Sequence, residues 1–314
     1  MSNKNLSEVI IIGGGIAAHT AALYTARAEL KPIVLSAVAP DQLSLTTLVE
    51  NFPGFPEGVL GPELVANAKK QAEKFGANYV SAEATAFEIK KDFFEITAGG
   101  ETYQGLCVVI ATGASARRLN IAGEDKYFGR GVSTCATCDA AFYRDREAVV
   151  VGGGDSAMEE ALALYKFAKK VTIIHRRNEF KASKIMRDRV LSLKDKIEII
   201  WGAEVTEVLG DGKLVTGLKL KNLKTEEASE IKTNGLFLAI GHVPNTKIFA
   251  GKIELDDLGY ITTDKKAKTN VPGVFAGGDV ADHYFRQAIT SAGSGCQAAM
   301  EAERYIEKLK AGNK

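Results

Sequence analysis

Cysteine is scarce in this sequence, four residues in 314, which excludes a small secreted scaffold stapled by disulphides. A surplus of either charge is missing too. Forty Lys and Arg face 39 Asp and Glu, and a formal charge of +1 supplies no electrostatic footprint for nucleic acid. No apolar run reaches the roughly 18 residues that span a bilayer, and the first eight residues, MSNKNLSE, are polar. These absences predict a cytoplasmic protein with neither a membrane anchor nor a nucleic-acid partner. What is present is ordinary: 46% hydrophobic and 25% charged residues exclude a disordered or fibrous chain. The length exceeds what one hydrophobic core usually organises, so two domains are expected.

The chain contains an internal duplication. EVIIIGGGIAAHTAALYTARAELKPIVLS reads as an apolar strand, a glycine turn, an Ala-rich helix and a second strand, and EAVVVGGGDSAMEEALALYKFAKKVTIIHRR repeats that order. Ser36 lies 23 residues after Gly13, and His175 lies 23 after Gly152. Each copy later acquires a further apolar strand running into glycine, CVVIATGAS at 107–115 and LFLAIGHVP at 236–244, and a third such strand, VFAGGDV, follows at 274–280. If VFAGGDV returns to the first unit, the second is inserted within it, with crossings near Arg117–Leu119 and Gly241–Asn245. Alternating segments such as FFEITAGGETYQG and LVTGLKLKNLKTEEASEIK predict antiparallel hairpin layers over one face of each sheet. The expected class is α/β, two Rossmann-like three-layer ββα dinucleotide-binding domains, the second inserted in the first.

Gly13-x-Gly15-x-x-Ala18 and Gly152-x-Gly154-x-x-Ala157 carry the spacing for dinucleotides. The first glycine makes the tight turn, the second lets backbone approach a pyrophosphate, and the small third residue lets the helix pack closely. Unpaired N–H groups at the helix N-terminus then attract phosphate. At the end of the second strand, where ribose is read, the second copy places His175, Arg176 and Arg177, with Lys181 further on and no carboxylate. Cations there suit a 2′-phosphate, so NADPH is preferred over NADH, an exposed solvated basic stretch being the other reading. The first copy ends in neutral Ser36. Asp279, at the end of VFAGGDV, could approach a longer ligand such as FAD, or simply cap the following helix.

Cys135-Ala-Thr-Cys138 is the one close cysteine pair. It can close into a disulphide, and a helix beginning there would lower a thiol pKa. Zinc requires four ligands, and no second pair of Cys or His stands at matching spacing, so no metal is expected. Inert cysteines remain the alternative, as does a plain helix N-terminal role for Asp139. Cys107 and Cys296 read as small buried hydrophobes.

On these residues the chain resembles low-molecular-weight thioredoxin reductases over essentially its whole length. The resemblance rests on ENFPGFPEG at 50–58, ATGASA at 111–116, CATCD at 135–139, GGGDSAMEEA at 152–161, HRR at 175–177, AIGHVPNT at 239–246 and GVFAGGDVADHYFRQAITSAGSGCQAA. It implies FAD in a discontinuous domain of residues 1–117 and 245–314, NADPH in an inserted domain of residues 118–244 carrying the cysteines, a thioredoxin-like protein substrate, and homodimers. In the family pattern Gln42, Asn51, Asp279, Arg286, Gln287 and Ala288 contact the flavin cofactor, with Ala111 and Gly113 in the same site. Arg176, Arg177 and Lys181 hold the 2′-phosphate, and Asp155, Ser156 and His175 complete the coenzyme site. Cys138 faces the flavin, Cys135 attacks the thioredoxin disulphide and Asp139 serves as acid.

Departures accompany the match. The family reads Gly-Gly-Gln-Leu-Thr-Thr-Thr-Thr where this chain has Pro40-Asp41-Gln42-Leu43-Ser44-Leu45-Thr46-Thr47, Pro at Ile16, Glu or Gly near Ser36, Gly at Ala140 and Arg at Lys181. They predict weakened FAD binding or flavin-to-disulphide transfer, or, at the limit, a non-catalytic NADPH-binding paralogue. A dithiol oxidase would need a degraded NADPH site, which Arg176 and Arg177 oppose.

Overall fold

Strand formation follows the short apolar runs. In the computed structural model, which describes residues 6–37, 41–46 and 48–312, the chain begins β1 (Leu6–Ile12), α1 (Ile16–Arg27), β2 (Ile33–Ser36), β3 (Leu48–Val49), β4 (Val59–Leu60), α2 (Gly61–Lys74), β5 (Asn78–Ser81), β6 (Ala84–Ile89), β7 (Phe94–Ala98), β8 (Glu101–Ile110) and β9 (Ala114–Ala116). There follow α3 (Glu124–Tyr127), β10 (Val132–Ser133), α4 (Ala136–Asp139), β11 (Glu147–Gly152), α5 (Asp155–Tyr165), β12 (Lys170–His175), α6 (Lys184–Ser192), β13 (Ile197–Trp201), β14 (Ala203–Gly210), β15 (Val215–Asn222), β16 (Ala228–Lys232) and β17 (Gly235–Ala239). The chain closes with β18 (His242–Pro244), β19 (Val274–Ala276) and α7 (Ala288–Gly312). Two compact units result, Met1–Ser115 with Val243–Lys314, and Ala116–His242.

The first unit is built on a sheet ordered β5-β2-β1-β8-β7-β6, with β19 also paired to β8. Strand β8 does two jobs. Its polar first half, Glu101–Gly105, pairs antiparallel with β7, whereas Val108–Ile110 lies parallel to β1 on one side and to β19 on the other. The sequence suggested a hairpin and a separate strand; one ten-residue strand serves both, because only its second half is apolar on both faces. Successive side chains of a strand point to opposite faces. Val9, Ile11, Cys107 and Val109 therefore pack towards α1 and α7, while Ile10, Ile12, Val108 and Ile110 pack against Phe87, Phe94 and Ile96 of the antiparallel layer. Each such side chain contributes on the order of 1.5–3 kcal/mol by leaving water. Helix α1 is Ala-rich because α7 lies close upon it: a Cβ on Gly295 would fall 2.3 Å from the Ala17 carbonyl oxygen.

The second unit repeats the plan. A parallel sheet ordered β10-β17-β11-β12-β13 is covered on one face by helices and on the other by the antiparallel sheet β14-β15-β16. Ala148, Val150, Val171, Ile173 and Phe237 face the helices; Val149, Val151, Ile174, Leu236 and Leu238 face the antiparallel layer. Both units are thus α/β with three ββα layers. The two crossing strands, β9 and β18, pair as a two-stranded sheet. Asn245 fixes the return into the first unit, its N–H donating to Gly113 at 3.0 Å and its amide to the Thr112 carbonyl at 2.8 Å. Among the described residues no helix is long and apolar enough to cross a membrane.

Candidate active site

The two glycine turns are nearly the same backbone. Gly13 and Gly152 have φ of 141° and 155°, and Gly15 and Gly154, the N-caps of α1 and α5, have φ/ψ of −92°/−176° and −96°/−177°. A Cβ on Gly13 would lie 2.1 Å from the Ala111 carbonyl oxygen, and one on Gly152 2.3 Å from that of Ala239. These first glycines are steric necessities of a strand crossing under a turn. The later ones differ in kind. A Cβ on Gly154 would meet nothing within 4 Å, and one on Gly15 only Asp41 Cβ at 3.8 Å. Neither helix has a side-chain cap, so both turns offer backbone donors beside open space, the arrangement that suits a pyrophosphate. Ala18 and Ala157 are fully buried behind them.

Around the first turn the structure gathers residues distant in sequence. Gly278 donates its N–H to Ser294 Oγ at 2.8 Å, and the space a Cβ would need there is taken by Ala17. Asp279 follows it, its carboxylate accepting from Ser291 Oγ at 2.8 Å; burial pushes its pKa up, opposed by that bond. Asn51 donates to Gln287 Oε1 at 3.3 Å across 236 residues of sequence, beside Arg286 and the start of α7 at Ala288. Gln42 stands at the N-cap of a short 3-10 turn. That turn explains Asp41: its carboxylate accepts from Leu43 N at 2.9 Å, Ser44 N at 3.2 Å and Ser44 Oγ at 2.5 Å. Asp41 is not among the residues with positive φ, so it occupies no conformation reserved for glycine. Ala140 likewise has φ −57°, within the helical range. Pro40 and Thr47 lie outside the described residues.

Around the second turn, His175 behaves differently from its neighbours. Expected among the coenzyme contacts, it is 8% exposed and turned inward: its ring fills the place of a Cβ on Gly153, its Nε2 lies 3.1 Å from the Glu179 carbonyl, and Phe180 and Trp201 enclose it. Burial lowers its pKa, which keeps it neutral at pH 7. It packs the floor of the turn. The exposed cations are Arg176, Arg177 and Lys181. Ser156 lies in the first turn of α5 beside Asp155.

Cys135 and Cys138 form a disulphide with Cα atoms 5.4 Å apart. Cys135 is the N-cap of the four-residue helix α4, and the Cys138 N–H donates to its Sγ at 3.2 Å. An N–H directed at sulphur favours the thiolate after reduction. The helical turn contributes less than its position suggested, because the N–H of Ala136 is taken by the carboxylate of Glu160 on α5. Ser133, buried at the end of β10, accepts from the Cys135 N–H at 3.1 Å, and its side chain favours the Asp139 carboxylate. Burial raises the Asp139 pKa and the Ser133 bond partly opposes it. Sequence reasoning missed both: Ser133 stands in no motif, and Glu160, though inside the GGGDSAMEEA stretch, has no role assigned there; only the strand and helix that carry them bring them to the cysteines.

Comparison with known proteins agrees with this geometry. The model of the family described as pyridine nucleotide-disulphide oxidoreductase matches residues 7–295. The thioredoxin reductase of Streptomyces coelicolor is 48% identical over 310 residues, spanning 98% of this chain and 96% of its own length, and that of Schizosaccharomyces pombe is 48% identical over 96% of this chain and 98% of its own. The crystal structure of the thioredoxin reductase from Streptococcus pyogenes superposes with a TM-score of 0.92 at 38% identity, covering 98% of this chain and all of that one. The Giardia duodenalis thioredoxin reductase gives 0.91 at 42% identity over 97% and 100%. With its duplicated nucleotide turns and its disulphide, the chain belongs to the pyridine nucleotide-disulphide oxidoreductase family: it is a flavoprotein oxidoreductase that uses a nicotinamide coenzyme.

Proposed function

We propose that this chain is a thioredoxin reductase: it uses NADPH and FAD to reduce the disulphide of a thioredoxin-like protein through Cys135 and Cys138. The observation that carries the reading is the bracing of that disulphide upon α5. Glu160 of α5 holds the Ala136 N–H, and the same helix begins at the open Gly154 turn. The redox pair and the coenzyme turn are thus parts of one rigid unit.

FAD fits the first turn and NADPH the second. For FAD the holding residues are Gly13, Gly15, Ala18, Gln42, Asn51, Ala111, Gly113, Asp279, Arg286, Gln287 and Ala288. For NADPH they are Gly152, Gly154, Ser156 and Ala157, with Arg176, Arg177 and Lys181 on the 2′-phosphate and Asp155 beside them, its carboxylate engaged by Ser183. FAD, when bound, supplies the route by which two electrons pass from the nicotinamide to the disulphide. The residues of the chain do the rest. Cleavage of the Cys135–Cys138 bond by two electrons leaves two sulphurs that need one proton between them, and Asp139, next in sequence to Cys138 with its pKa raised by burial, is the group placed to deliver it. Cys135 thiolate, steadied by the Cys138 N–H, attacks the partner's disulphide and forms a mixed disulphide. Cys138 then attacks Cys135 Sγ, the partner leaves as dithiol, and the original bond is restored.

A non-catalytic paralogue loses its main motive, because Asp41 caps its own turn and Ala140 is helical. The free thiols Cys107 and Cys296 suit a reducing, cytoplasmic compartment, and the family resemblance supports a homodimer. The direct test is NADPH oxidation coupled to reduction of a thioredoxin disulphide by purified, flavin-loaded protein. Turnover dependent on both cysteines supports the reading; binding of NADPH without disulphide reduction overturns it.

A further inference from the structure

The basic loop after β12 is fastened to the second glycine turn, and the fastening is made by backbone and by Ser183 rather than by the cationic side chains. The N–H groups of Lys181 and Ala182 both donate to the Gly153 carbonyl, at 2.7 and 3.1 Å. Next in the chain, Ser183 donates both its N–H and its hydroxyl to Asp155 Oδ1, each at 2.8 Å. Beneath them the His175 ring occupies the space over Gly153.

Two features make this arrangement unusual. Ser183 is the N-cap of α6, where serine ordinarily accepts from its own helix, yet it makes no side-chain cap bond there. Its hydroxyl is given instead to a residue 28 positions earlier. Asp155, conversely, stands in the first turn of α5, where a free carboxylate would repel the phosphates that the turn attracts. Its oxygen is engaged by two donors of the basic loop.

We propose that Asp155 is a positioning residue for coenzyme selectivity, acting through Ser183 to hold Arg176, Arg177 and Lys181 at the distance from the Gly154 turn that separates a 2′-phosphate from the pyrophosphate. The proposal rests on the reading that this turn binds NADPH. Long cationic side chains on an untethered loop recognise an anion poorly, because their ordering must accompany binding; a loop tied at Gly153 and Asp155 is ordered beforehand. The ligand chemistry concerned is an adenosine bearing a phosphate on its 2′-oxygen.

The test uses the full-length, flavin-loaded protein and two readouts. Calorimetric titration with adenosine 2′,5′-bisphosphate and with 5′-AMP measures binding without turnover, and KM for NADPH and NADH is measured with an artificial disulphide. Asp155→Ala and Ser183→Ala are each expected to weaken the bisphosphate about three- to tenfold and to leave 5′-AMP within about twofold. Asp155→Asn, whose amide oxygen accepts the same two bonds, is expected to restore the difference. Equal weakening of both ligands in all three variants, or no change in any, overturns the positioning role. Arg176→Ala with Arg177→Ala separates the two layers: if that double variant keeps its preference for the bisphosphate, the 2′-phosphate reading itself fails. If it loses the preference while Asp155→Ala and Ser183→Ala keep it, only the positioning role falls.

Discussion

The Ser133 hydroxyl accepts a hydrogen bond from the Cys135 N–H at 3.1 Å, and the same side chain holds the Asp139 pKa down against the burial that raises it. One buried oxygen therefore links the first cysteine of the redox pair to the carboxyl group beside the second. A hydroxyl has one proton to give, and a hydrogen bond given to a carboxylate stabilises its charged form.

Removing that hydroxyl has a predictable sign. In Ser133→Ala the carboxylate loses that stabilisation, so the Asp139 pKa rises further above its ordinary range and the acid form survives to higher pH. The alkaline limb of the pH profile for disulphide reduction should move up by about half a unit to one unit. Ser133→Thr, which keeps the hydroxyl, should keep the wild-type limb. A downward shift would contradict the assignment.

Asp139→Asn should separate function from stability. Loss of the proton carrier is expected to slow disulphide reduction by about 10²-fold or more. Because burial raises the folded-state pKa, the stability linked to this group is present below the unfolded value and lost as pH rises through the folded one. The asparagine carries no such penalty. Thermal denaturation should show Tm higher by about 1–3 °C at pH 8, with the gain disappearing towards pH 4.

The glycines of the second turn should respond in opposite ways. Gly152→Ala puts a methyl 2.3 Å from a carbonyl oxygen at φ 155° and should cost about 2–4 kcal/mol of stability in a denaturant titration. Gly154→Ala meets no atom and no strain, so the fold should hold while KM for NADPH rises about tenfold or more.

Arg176→Ala together with Arg177→Ala should raise KM for NADPH by about 10²-fold and that for NADH by less than about threefold, each charged contact to phosphate being worth about 1.5–3 kcal/mol. Equal losses for both coenzymes would contradict a 2′-phosphate site. Steady-state kinetics with the two coenzymes suffices.

Much of this molecule could be read from the chain alone, where local chemistry dictates the outcome. The runs VIII and AVVV gave strands whose alternate residues bury on both faces, and the glycine spacing gave two turns of nearly equal dihedral angles. What escaped was set by tertiary proximity. His175 looked like a cation beside two arginines, yet the empty space over Gly153 draws its ring inward. Asp41 looked like a damaged glycine, yet its carboxylate closes the turn that follows. Ser133 and Ser183 stand in no motif and Glu160 has no role assigned within its own, and each meets its partner only once β10, α5 and α6 are in place.

The central claim is that electrons from the nicotinamide arrive at Cys135 and Cys138. The most direct measurement is anaerobic addition of one equivalent of NADPH to flavin-loaded protein, followed by alkylation and mass spectrometry of each cysteine. The account predicts alkylation at Cys135 and Cys138 with buried Cys107 unmodified, NADP⁺ formed in equal amount, and loss of thioredoxin reduction in Cys138→Ser. Oxidation of NADPH with the Cys135–Cys138 bond intact, or undiminished thioredoxin reduction by Cys138→Ser, would contradict it.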